Sequence, residues 1–407
     1  MTALFVFQNQ TGEVVRDGDF TLAPLGIEDK GQSLVNRWQL SVENSEDEFT
    51  LEHTVSSEFA ACVVDPNHGD HALLAVLFHV MRYGRSLHVD GCVSPKLLKG
   101  VETLQAIWGR WRPRIYSPVR ITASREEEMQ SGRAEPGSIV AFSGGVDGTF
   151  STFRHYQGAA GRNSVKPAAA LLVHGMDIPL DRAQEYQGAV ERARRMLSST
   201  QIPLIEFSVN SKLLKQEWEH SFSVQLGACF LMLQRGFTTA LLGSGEPYET
   251  IFFPWSSTPM TDHLLSTPNL DVVIDGCGFA RTEKIDWLSK HTEVSDQLRV
   301  CWEGKQLDQN CGYCEKCIRT MLNFWASGNE VPPDLFEHKL STQAVRSVHP
   351  KNPVQVSELK HVINHARLNG LERTPIFRAL TGVVRKAVVR AEFQRFASLA
   401  KAGLRSI

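Results

Sequence analysis

Apolar and polar residues alternate in short runs along the first third of the chain. Strand-like runs of this kind occupy residues 3–7, 37–42, 48–55 and 58–64. A helical run over residues 71–83 stops before Gly84, a residue type that often closes helices in the left-handed conformation. Pro95 suits a first helical position, so a second helix is expected to begin there with Ser94 as its cap. This pattern predicts an α+β accessory domain over residues 1–130.

A different pattern begins after a polar stretch at residues 124–137, which has the composition of a linker. Near-continuous apolar runs at 138–142, 168–174, 203–209 and 238–243 alternate there with helical segments, including one at 181–197. Strands that are apolar on both faces predict a parallel sheet covered by helices. We therefore predict an α/β domain with a doubly wound parallel sheet over residues 131–330, and a helical tail over 331–407. Sheets of this kind bind ligands at the carboxyl ends of their strands.

Composition and charge exclude several classes of protein. Of the 407 residues, 42% are hydrophobic and 22% are charged, which excludes disordered and fibrous chains. The net charge of -2 gives no general attraction to nucleic acid or membrane, so neither partner is expected, while an oligomer stays open. The N-terminus lacks the basic region of a signal peptide, and no apolar stretch reaches the roughly 20 residues that span a bilayer. These features predict a cytoplasmic protein.

A glycine-rich turn follows the first strand of the predicted parallel sheet. Its two adjacent glycines allow backbone N–H groups to approach a ligand, and the helix that follows has a positive dipole end that favours phosphate. We expect hydroxyl donors at both ends of the turn, and an aspartate on an exposed loop that is placed to hold Mg²⁺. The predicted nucleotide-binding residues of this turn are Ser143, Gly144, Gly145, Val146, Asp147, Gly148 and Thr149.

Four of the eight cysteines lie in one short segment, at Cys301, Cys311, Cys314 and Cys317. In a chain without a secretion signal, such a cluster favours a metal site over a disulfide framework. Four thiolates complete a tetrahedral shell around Zn²⁺ and leave no open position for catalysis, which predicts a structural zinc. An iron–sulfur cluster is the alternative.

The turn SGGVDG resembles the SGGxDS loop of the PP-loop ATP pyrophosphatase superfamily. Together with the C…CGxCxxC…R segment, it makes residues 135–325 similar to 7-cyano-7-deazaguanine synthase and its relatives. The resemblance implies a fold like that of the adenine nucleotide alpha hydrolases and an enzyme that cleaves ATP between the α and β phosphates. It further implies adenylation of the carboxylate of 7-carboxy-7-deazaguanine, amide formation with ammonia, and dehydration to a nitrile. One departure is Gly148, where the family has its last loop serine.

The resemblance also implies roles for residues outside the loop. Arg281 and Lys284 match the region where relatives place a basic residue on phosphate, and with the loop aspartate they are the expected catalytic residues. His174, at the end of the second strand, is expected to contact ATP. Arg319 matches the arginine that follows the family's cysteine knuckle, and Glu246 lies where relatives carry a substrate segment. These two residues are expected to bind substrate.

Three functions fit these features. The first is a carboxylate-adenylating enzyme that ends in a nitrile, an amide or an amide conjugate, with ammonia or another amine as acceptor, including an amine carried by a protein. The second is a PP-loop enzyme that modifies tRNA. The third is a non-catalytic nucleotide-binding scaffold, which Gly148 and the added domains suggest. The first is preferred, because the front domain is not basic and the clustered cysteines are committed to a metal.

Overall fold

The computed structural model describes residues 18–129, 137–251 and 253–403, with side chains as far as residue 390. It divides into two compact units. The sheet unit comprises the described parts of residues 1–143, 151–244 and 253–275. The helical unit comprises the described parts of residues 144–150, 245–252 and 276–407.

The sheet unit contains one sheet of ten strands, in the order β10-β9-β6-β7-β8-β3-β2-β1-β4-β5. The fold is therefore α/β with a large, mostly parallel sheet. The strands are β1 (Phe20–Asp29), β2 (Ser33–Val42), β3 (Glu48–Ser56), β4 (Leu87–Val93), β5 (Ile121–Glu126), β6 (Ser138–Ala141), β7 (Pro167–His174), β8 (Leu204–Val209), β9 (Thr239–Gly243) and β10 (Asp271–Asp275).

Strands β6 to β10 form an uninterrupted parallel block. Their apolar side chains are mostly buried, as expected for strands covered on both faces. From β6 the chain proceeds outward through β7 and β8, and then returns to β9 and β10 on the other side. This reversal between β6 and β9 is the strand order of a doubly wound sheet.

The first strands of the chain extend this same sheet. Strand β3 pairs antiparallel with β8, where His53, Thr54 and Val55 face Val209, Ser208 and Phe207. Strands β1 and β2 continue the antiparallel part, and β4 and β5 add two further parallel pairs. Because β3 pairs with β8, strands on both sides of the predicted boundary at residue 130 belong to one sheet.

The local predictions have mixed outcomes. The runs at 37–42 and 48–55 are strands, whereas residues 57–62 form a 3-10 turn directly after β3 ends, so the strand predicted at 58–64 is wrong. The run at 3–7 and most of the predicted linker, residues 130–136, lie outside the described residues. Strand β10 was not predicted from its short sequence DVVID.

Five helices lie wholly or partly in the sheet unit: α1 (Asp70–Tyr83), α2 (Pro95–Trp111), α3 (Val146–Tyr156), α4 (Ala183–Leu197) and α5 (Trp218–Met232). Helix α1 is buried almost all round, as its continuous apolar sequence requires, and Gly84 closes it in the left-handed conformation as predicted. Helix α2 begins at Pro95 as predicted. Ser94 does not cap it, because its hydroxyl donates to the buried carboxylate of Asp70 instead.

The helical unit contains helices α6 (Arg281–Leu288), α7 (Thr292–Ser295), α8 (Glu315–Ala326), α9 (Thr342–Arg346), α10 (Pro353–Leu368) and α11 (Pro375–Gly403). The predicted tail after residue 330 is helical, and it belongs to the same compact unit as α6 and α8. Among the described residues, no helix combines the length and the apolar character needed to cross a membrane.

Three of the buried histidines of the sheet unit are His53, His71 and His79. His53 has no hydrogen-bond partner for either ring nitrogen among the described residues, and its ring lies 5.2 Å from that of His71. The Nε2 atom of His71 lies 3.2 Å from the side-chain oxygen of Asn36. Burial lowers the pKa of His53 to about 3 and that of His79 to about 4, and it holds the pKa of His71 well below its ordinary value. All three imidazoles are therefore neutral in the folded protein at neutral pH.

The free energy of unfolding decreases when the pH falls from 7 to 5. Replacing His53 with phenylalanine should make this decrease smaller by about 2 kcal/mol. Below about pH 6.5 the unfolded chain protonates this histidine, whereas the folded protein keeps it neutral, so the free energy of unfolding falls as the pH falls. The raised pKa values of Glu246 and Asp262 act in the opposite direction, because they increase the free energy of unfolding as the pH falls. Both residues are present in the wild type and in the variant, so their contribution cancels in the comparison.

Urea denaturation at pH 7 and at pH 5 measures this difference. The variant His263→Gln, at an exposed histidine, is the matched control and should keep the pH dependence of the wild type. The same dependence in His53→Phe would contradict the prediction.

Candidate functional site

The predicted phosphate loop joins β6 to α3. Gly144 has a positive φ of 77°, and its carbonyl oxygen accepts a hydrogen bond of 2.8 Å from the backbone N–H of Arg299. The first turn of α3 is closed by the N–H of Thr149, which donates to the carbonyl oxygen of Gly145. The loop is therefore tied both to the start of its own helix and to the segment that precedes the cysteine cluster.

Asp147 lies in the first turn of α3 and contacts two cations of α6. The Nη2 atom of Arg281 donates to its Oδ2 at 2.7 Å, and the Nζ atom of Lys284 donates to its Oδ1 at 3.2 Å. The Lys284 side chain is fully buried, with its Nζ 5.8 Å from the centre of the Phe150 ring. The structure thus brings the three expected catalytic residues together. Asp147 is less exposed than predicted, since only 22% of its side chain is accessible.

The same arginine reaches a second carboxylate, on α10. Glu358 is buried, and its Oε2 accepts hydrogen bonds from Nη1 of Arg281 at 3.0 Å and from Nη1 of Arg319 at 2.9 Å. Arg319 also donates through Nε to Glu315, one turn earlier on α8, at 2.7 Å. Arg319 is therefore held between two carboxylates inside the helical unit.

Glu246 completes this charged cluster from the segment that follows β9. Its side chain is buried, and the charge of Glu358 acts on its carboxyl group. Gly245 precedes it, and a Cβ atom at that position would lie 2.9 Å from Nη2 of Arg281. A larger residue at this position would require the guanidinium group of Arg281 to shift.

Burial and charge set the ionisation of the cluster. Burial alone would raise the pKa of Asp147, but the charges of Arg281 and Lys284 outweigh it and hold this pKa well below the ordinary value. The same balance, with Arg281 and Arg319 as the cations, lowers the pKa of Glu358. Burial and then the charge of Glu358 raise the pKa of Glu246 to about 9. At neutral pH Asp147 and Glu358 are therefore ionised, whereas Glu246 is neutral.

Two of the predicted nucleotide-binding side chains have other surroundings. Thr149 is fully buried, and its hydroxyl has no hydrogen-bond partner among the described residues. His174 belongs to the sheet unit, where its ring stacks on Tyr186 at 4.3 Å and its Nε2 donates to the carbonyl oxygen of Pro179 at 2.8 Å. The remaining donors of the loop are its backbone N–H groups and the hydroxyl of Ser143, which is partly exposed.

The four clustered cysteines are buried, and their sulfur atoms all lie within 4.8 Å of one another. The sulfur of Cys301 lies 3.5 Å from that of Cys311 and 3.8 Å from that of Cys314, and the sulfurs of Cys311 and Cys317 are 3.9 Å apart. A tetrahedron with metal–sulfur bonds of about 2.3 Å has edges of about 3.8 Å. The cluster could therefore hold a single metal ion such as zinc.

Backbone contacts support this arrangement of sulfurs. The N–H groups of Cys314 and Cys317 each donate to the preceding cysteine sulfur at 3.4 Å. Gly312 has a positive φ of 73°, and a Cβ there would approach the carbonyl oxygen of His338 to 2.5 Å. The amide of Asn310 accepts from the N–H of Cys301 and donates to two carbonyl oxygens, which joins the two chain segments that carry the cysteines.

Three residues of this region were not singled out from the sequence: Asn310, Glu315 and Glu358. Glu315 carried a usable signal, because it lies inside the cysteine knuckle and four residues before Arg319. Asn310 directly precedes Cys311 and could have been suspected on that ground. Glu358 lies in an ordinary amphipathic helix, and its sequence gives no indication of the two arginines that bind it.

Comparisons with known proteins identify one matching family. Residues 269–394 match the profile of DUF6395, which is described as a family of unknown function. The matched segment runs from the loop before β10 into α11, so it includes the cysteine cluster and the cluster residues Arg281, Lys284, Glu315, Arg319 and Glu358. No match was found among curated proteins or among solved structures.

Proposed function

We propose that this protein is an ATP-dependent enzyme of the PP-loop type, similar to 7-cyano-7-deazaguanine synthase. It adenylates a carboxylate, 7-carboxy-7-deazaguanine or a similar acid, with release of pyrophosphate. It then passes the activated acyl group to ammonia or to another amine, which a protein can carry. The observation that carries this proposal is the contact of Asp147, in the SGGVD loop, with Arg281 and Lys284.

This contact supports phosphate chemistry for a physical reason. A buried lysine and a largely buried arginine are costly unless anions surround them. In the structure Asp147 and Glu358 provide that charge. A triphosphate at the loop would offer the same cations a larger negative charge and would draw them away from Asp147.

The strand order of the sheet unit is one that favours ligand binding. In open α/β sheets, ligands bind beyond the carboxyl ends of the strands where the strand order reverses. Here the reversal lies between β6 and β9, and the segments that follow these strands contain Asp147 and Glu246, respectively. Within the helical unit Arg281 joins Asp147 to Glu358, and the charges of Arg281 and Glu358 both act on Glu246.

The residues of the loop fit a nucleotide that is bound mainly by backbone groups. Thr149 is buried, so the serine missing at position 148 is not replaced by an exposed hydroxyl. Ser143 and the N-terminal N–H groups of α3 would donate to the phosphates. Asp147 would hold Mg²⁺ together with the phosphates, since this ion is commonly bound through one or two carboxylates plus substrate oxygens. Bound Mg²⁺ would neutralise phosphate charge during the displacement of pyrophosphate.

We propose zinc as the ion of the cysteine cluster. The sulfur separations match a single tetrahedral ion, whereas the thiolates around a multi-iron cluster bind different iron atoms and lie farther apart. Four thiolates leave no position for substrate, so the zinc is structural. Thiolates reserved for a metal fit the reducing cytoplasm that we propose as the location.

Wild-type protein should catalyse exchange between ATP and labelled pyrophosphate when 7-carboxy-7-deazaguanine is present. Adenylation is reversible while the acyl-adenylate stays bound, so the label enters ATP before any amine is added. A set of related carboxylic acids, tested without amine, identifies the preferred substrate. Adding ammonium should then convert the acid to an amide or a nitrile, which mass spectrometry detects.

The other two functions predict different results. A scaffold would bind ATP and show neither exchange nor AMP formation with any acid. A tRNA-modifying enzyme would shift tRNA in a gel and would form AMP only when tRNA is present. Either result would contradict the proposed function.

A further inference from the structure

One buried side chain holds the chain segment that contacts the phosphate loop. Asn310 is 3% exposed and directly precedes Cys311, one of the four clustered cysteines. Its side-chain oxygen accepts from the backbone N–H of Val300 at 2.8 Å, and its side-chain nitrogen donates to the carbonyl oxygen of Leu298 at 2.7 Å. These two bonds lie on either side of Arg299 in the chain. The amide of Asn310 therefore fixes the backbone both before and after Arg299.

The peptide group between Leu298 and Arg299 links this amide to the loop. Its carbonyl oxygen accepts from Asn310, and its N–H, which belongs to Arg299, donates to the carbonyl oxygen of Gly144 at 2.8 Å. Because a trans peptide is planar and its C=O and N–H point in opposite directions, fixing one end sets the direction of the other. The orientation of the bond to the loop therefore depends on Asn310.

The same amide is also joined to the cysteine cluster. Its oxygen accepts a second hydrogen bond, from the N–H of Cys301 at 3.1 Å, and its nitrogen donates to the carbonyl oxygen of Leu335 at 3.0 Å. The sulfurs of Cys301 and Cys311 are 3.5 Å apart. A metal ion bonded to both sulfurs would hold the segment before Cys301 against the residue before Cys311. All of these residues, like Gly144, belong to the helical unit.

A carboxamide suits this set of four backbone partners. Two N–H groups need an acceptor and two carbonyl oxygens need a donor, and the asparagine side chain offers both on adjacent atoms. Aspartate would lack the donor, and leucine would lack both. Because buried backbone groups without partners are costly, the segment has one favoured position as long as Asn310 is held in place.

We propose that Asn310 is a positioning residue for the phosphate loop, and that the metal of the cysteine cluster strengthens ATP binding through it. The inference rests on the proposed function and adds a residue and a coupling between two sites. With the metal bound, Asn310 keeps the N–H of Arg299 directed at Gly144. The loop is then held ready before ATP arrives, so less conformational freedom is lost on binding. Loss of the metal releases this contact and weakens ATP binding.

Coupling of this kind acts in both directions. If the metal raises the affinity for ATP by some factor, ATP must raise the affinity for the metal by the same factor. Bound ATP should therefore slow the release of zinc. This effect can be measured without any catalytic turnover.

The first test measures ATP binding by zinc-loaded Asn310→Ala. All four cysteines remain in this variant, so elemental analysis should still find about one zinc per chain. Calorimetry with Mg-ATP, without acid or amine, should give a dissociation constant about tenfold above that of the wild type. In the exchange assay, KM for ATP should rise by the same factor, and KM for the carboxylic acid should stay unchanged.

Asn329→Ala is the matched control. Asn329 is a partly buried residue of the helical unit, and its amide donates to Asp286 and Ser327. This variant also loses two hydrogen bonds of a carboxamide, but none of them leads to the loop. It should keep the wild-type affinity for ATP, even where its melting temperature falls.

The second test follows the transfer of zinc to a chromophoric chelator. Saturating Mg-ATP should slow this transfer about tenfold in the wild type and hardly at all in Asn310→Ala. Equal slowing in both proteins would show that ATP merely stabilises the fold, and it would overturn the inference. Wild-type affinity for ATP in Asn310→Ala would overturn it as well.

The wild type alone decides the matter if Asn310→Ala does not fold. Zinc release that ATP leaves unchanged would then contradict the coupling, and slower release together with weaker ATP binding after chelation would support it. Wild-type protein that binds no ATP would overturn the proposed function, and this inference with it.

Discussion

Replacing Asp147 with asparagine should lower exchange between ATP and pyrophosphate at least about 100-fold. The carboxylate has two tasks in the proposed reaction: it holds Mg²⁺ with the phosphates, and it neutralises Arg281 and Lys284 until the nucleotide arrives. Asparagine keeps an oxygen that can accept from one of these cations, but it has no charge to bind a divalent ion. The loss should therefore appear in activity far more than in folding.

The choice of asparagine follows from the structure. If Asp147 were an exposed loop residue, as predicted, alanine would be tolerated in its place. In the structure, however, its partner Lys284 is fully buried. Alanine would leave that ammonium group without its carboxylate, and breaking a buried ion pair in this way commonly costs about 3–5 kcal/mol. A folding defect would then imitate a catalytic one.

Asp296→Asn is a suitable control, because Asp296 is exposed in the helical unit and hydrogen-bonds only locally to Ser295. Circular dichroism should give both variants the melting temperature of the wild type within a few degrees. If Asp147→Asn forms AMP at the wild-type rate, the loop does not act as a phosphate-binding PP-loop, and the proposed function would have to be abandoned.

Replacing Cys314 with alanine should remove the metal and destabilise the helical unit by more than about 3 kcal/mol. Cys314 supplies a sulfur to the cluster and also caps α8, because its sulfur accepts from the N–H of Cys317. Alanine removes both interactions and leaves three thiolates to compete for the ion. We expect wild-type protein to contain about one zinc per chain, and the variant to contain much less.

Elemental analysis and thermal melting test this prediction together. A strong chelator should lower the melting temperature of the wild type towards that of Cys314→Ala. Cys62→Ala is the matched control, because Cys62 belongs to the sheet unit and is not one of the four clustered cysteines. Iron with visible absorbance in the wild type, or a Cys314→Ala protein as stable as the wild type, would contradict a structural zinc.

Local sequence was sufficient for strands β6 to β9 of the parallel block and for the cysteine cluster. The apolar runs that became β6 to β9 are long enough to be covered on both faces, and turn residues bound them. The spacing of Cys311, Cys314 and Cys317 brings their sulfurs together within one knuckle, independently of distant segments of the chain. In both cases the information lies within a few residues of the feature that it determines.

The membership of the sheet could not be predicted in this way. Strand β3 shows the alternation of a half-buried strand, and β8 shows an apolar run, but neither sequence indicates which strand it pairs with. Their pairing joins residues more than 150 positions apart, and it depends on which sheet edges stay open once the other strands have paired. A domain boundary placed at residue 130 followed from the composition of the linker, which carries no information about such pairing.

The sequence by itself determined which residues could do chemistry: Asp147 in a glycine-rich turn, Arg281 and Lys284 before the cysteines, and four thiolates at metal-binding spacing. Only the tertiary structure decided their electrostatic state. Glu358 comes from a helix about 40 residues beyond Arg319, where it binds both arginines, and its charge helps to raise the pKa of Glu246. The physical reason is that ionisation depends on burial and on charges a few ångströms away, and these neighbours come from segments far apart along the chain.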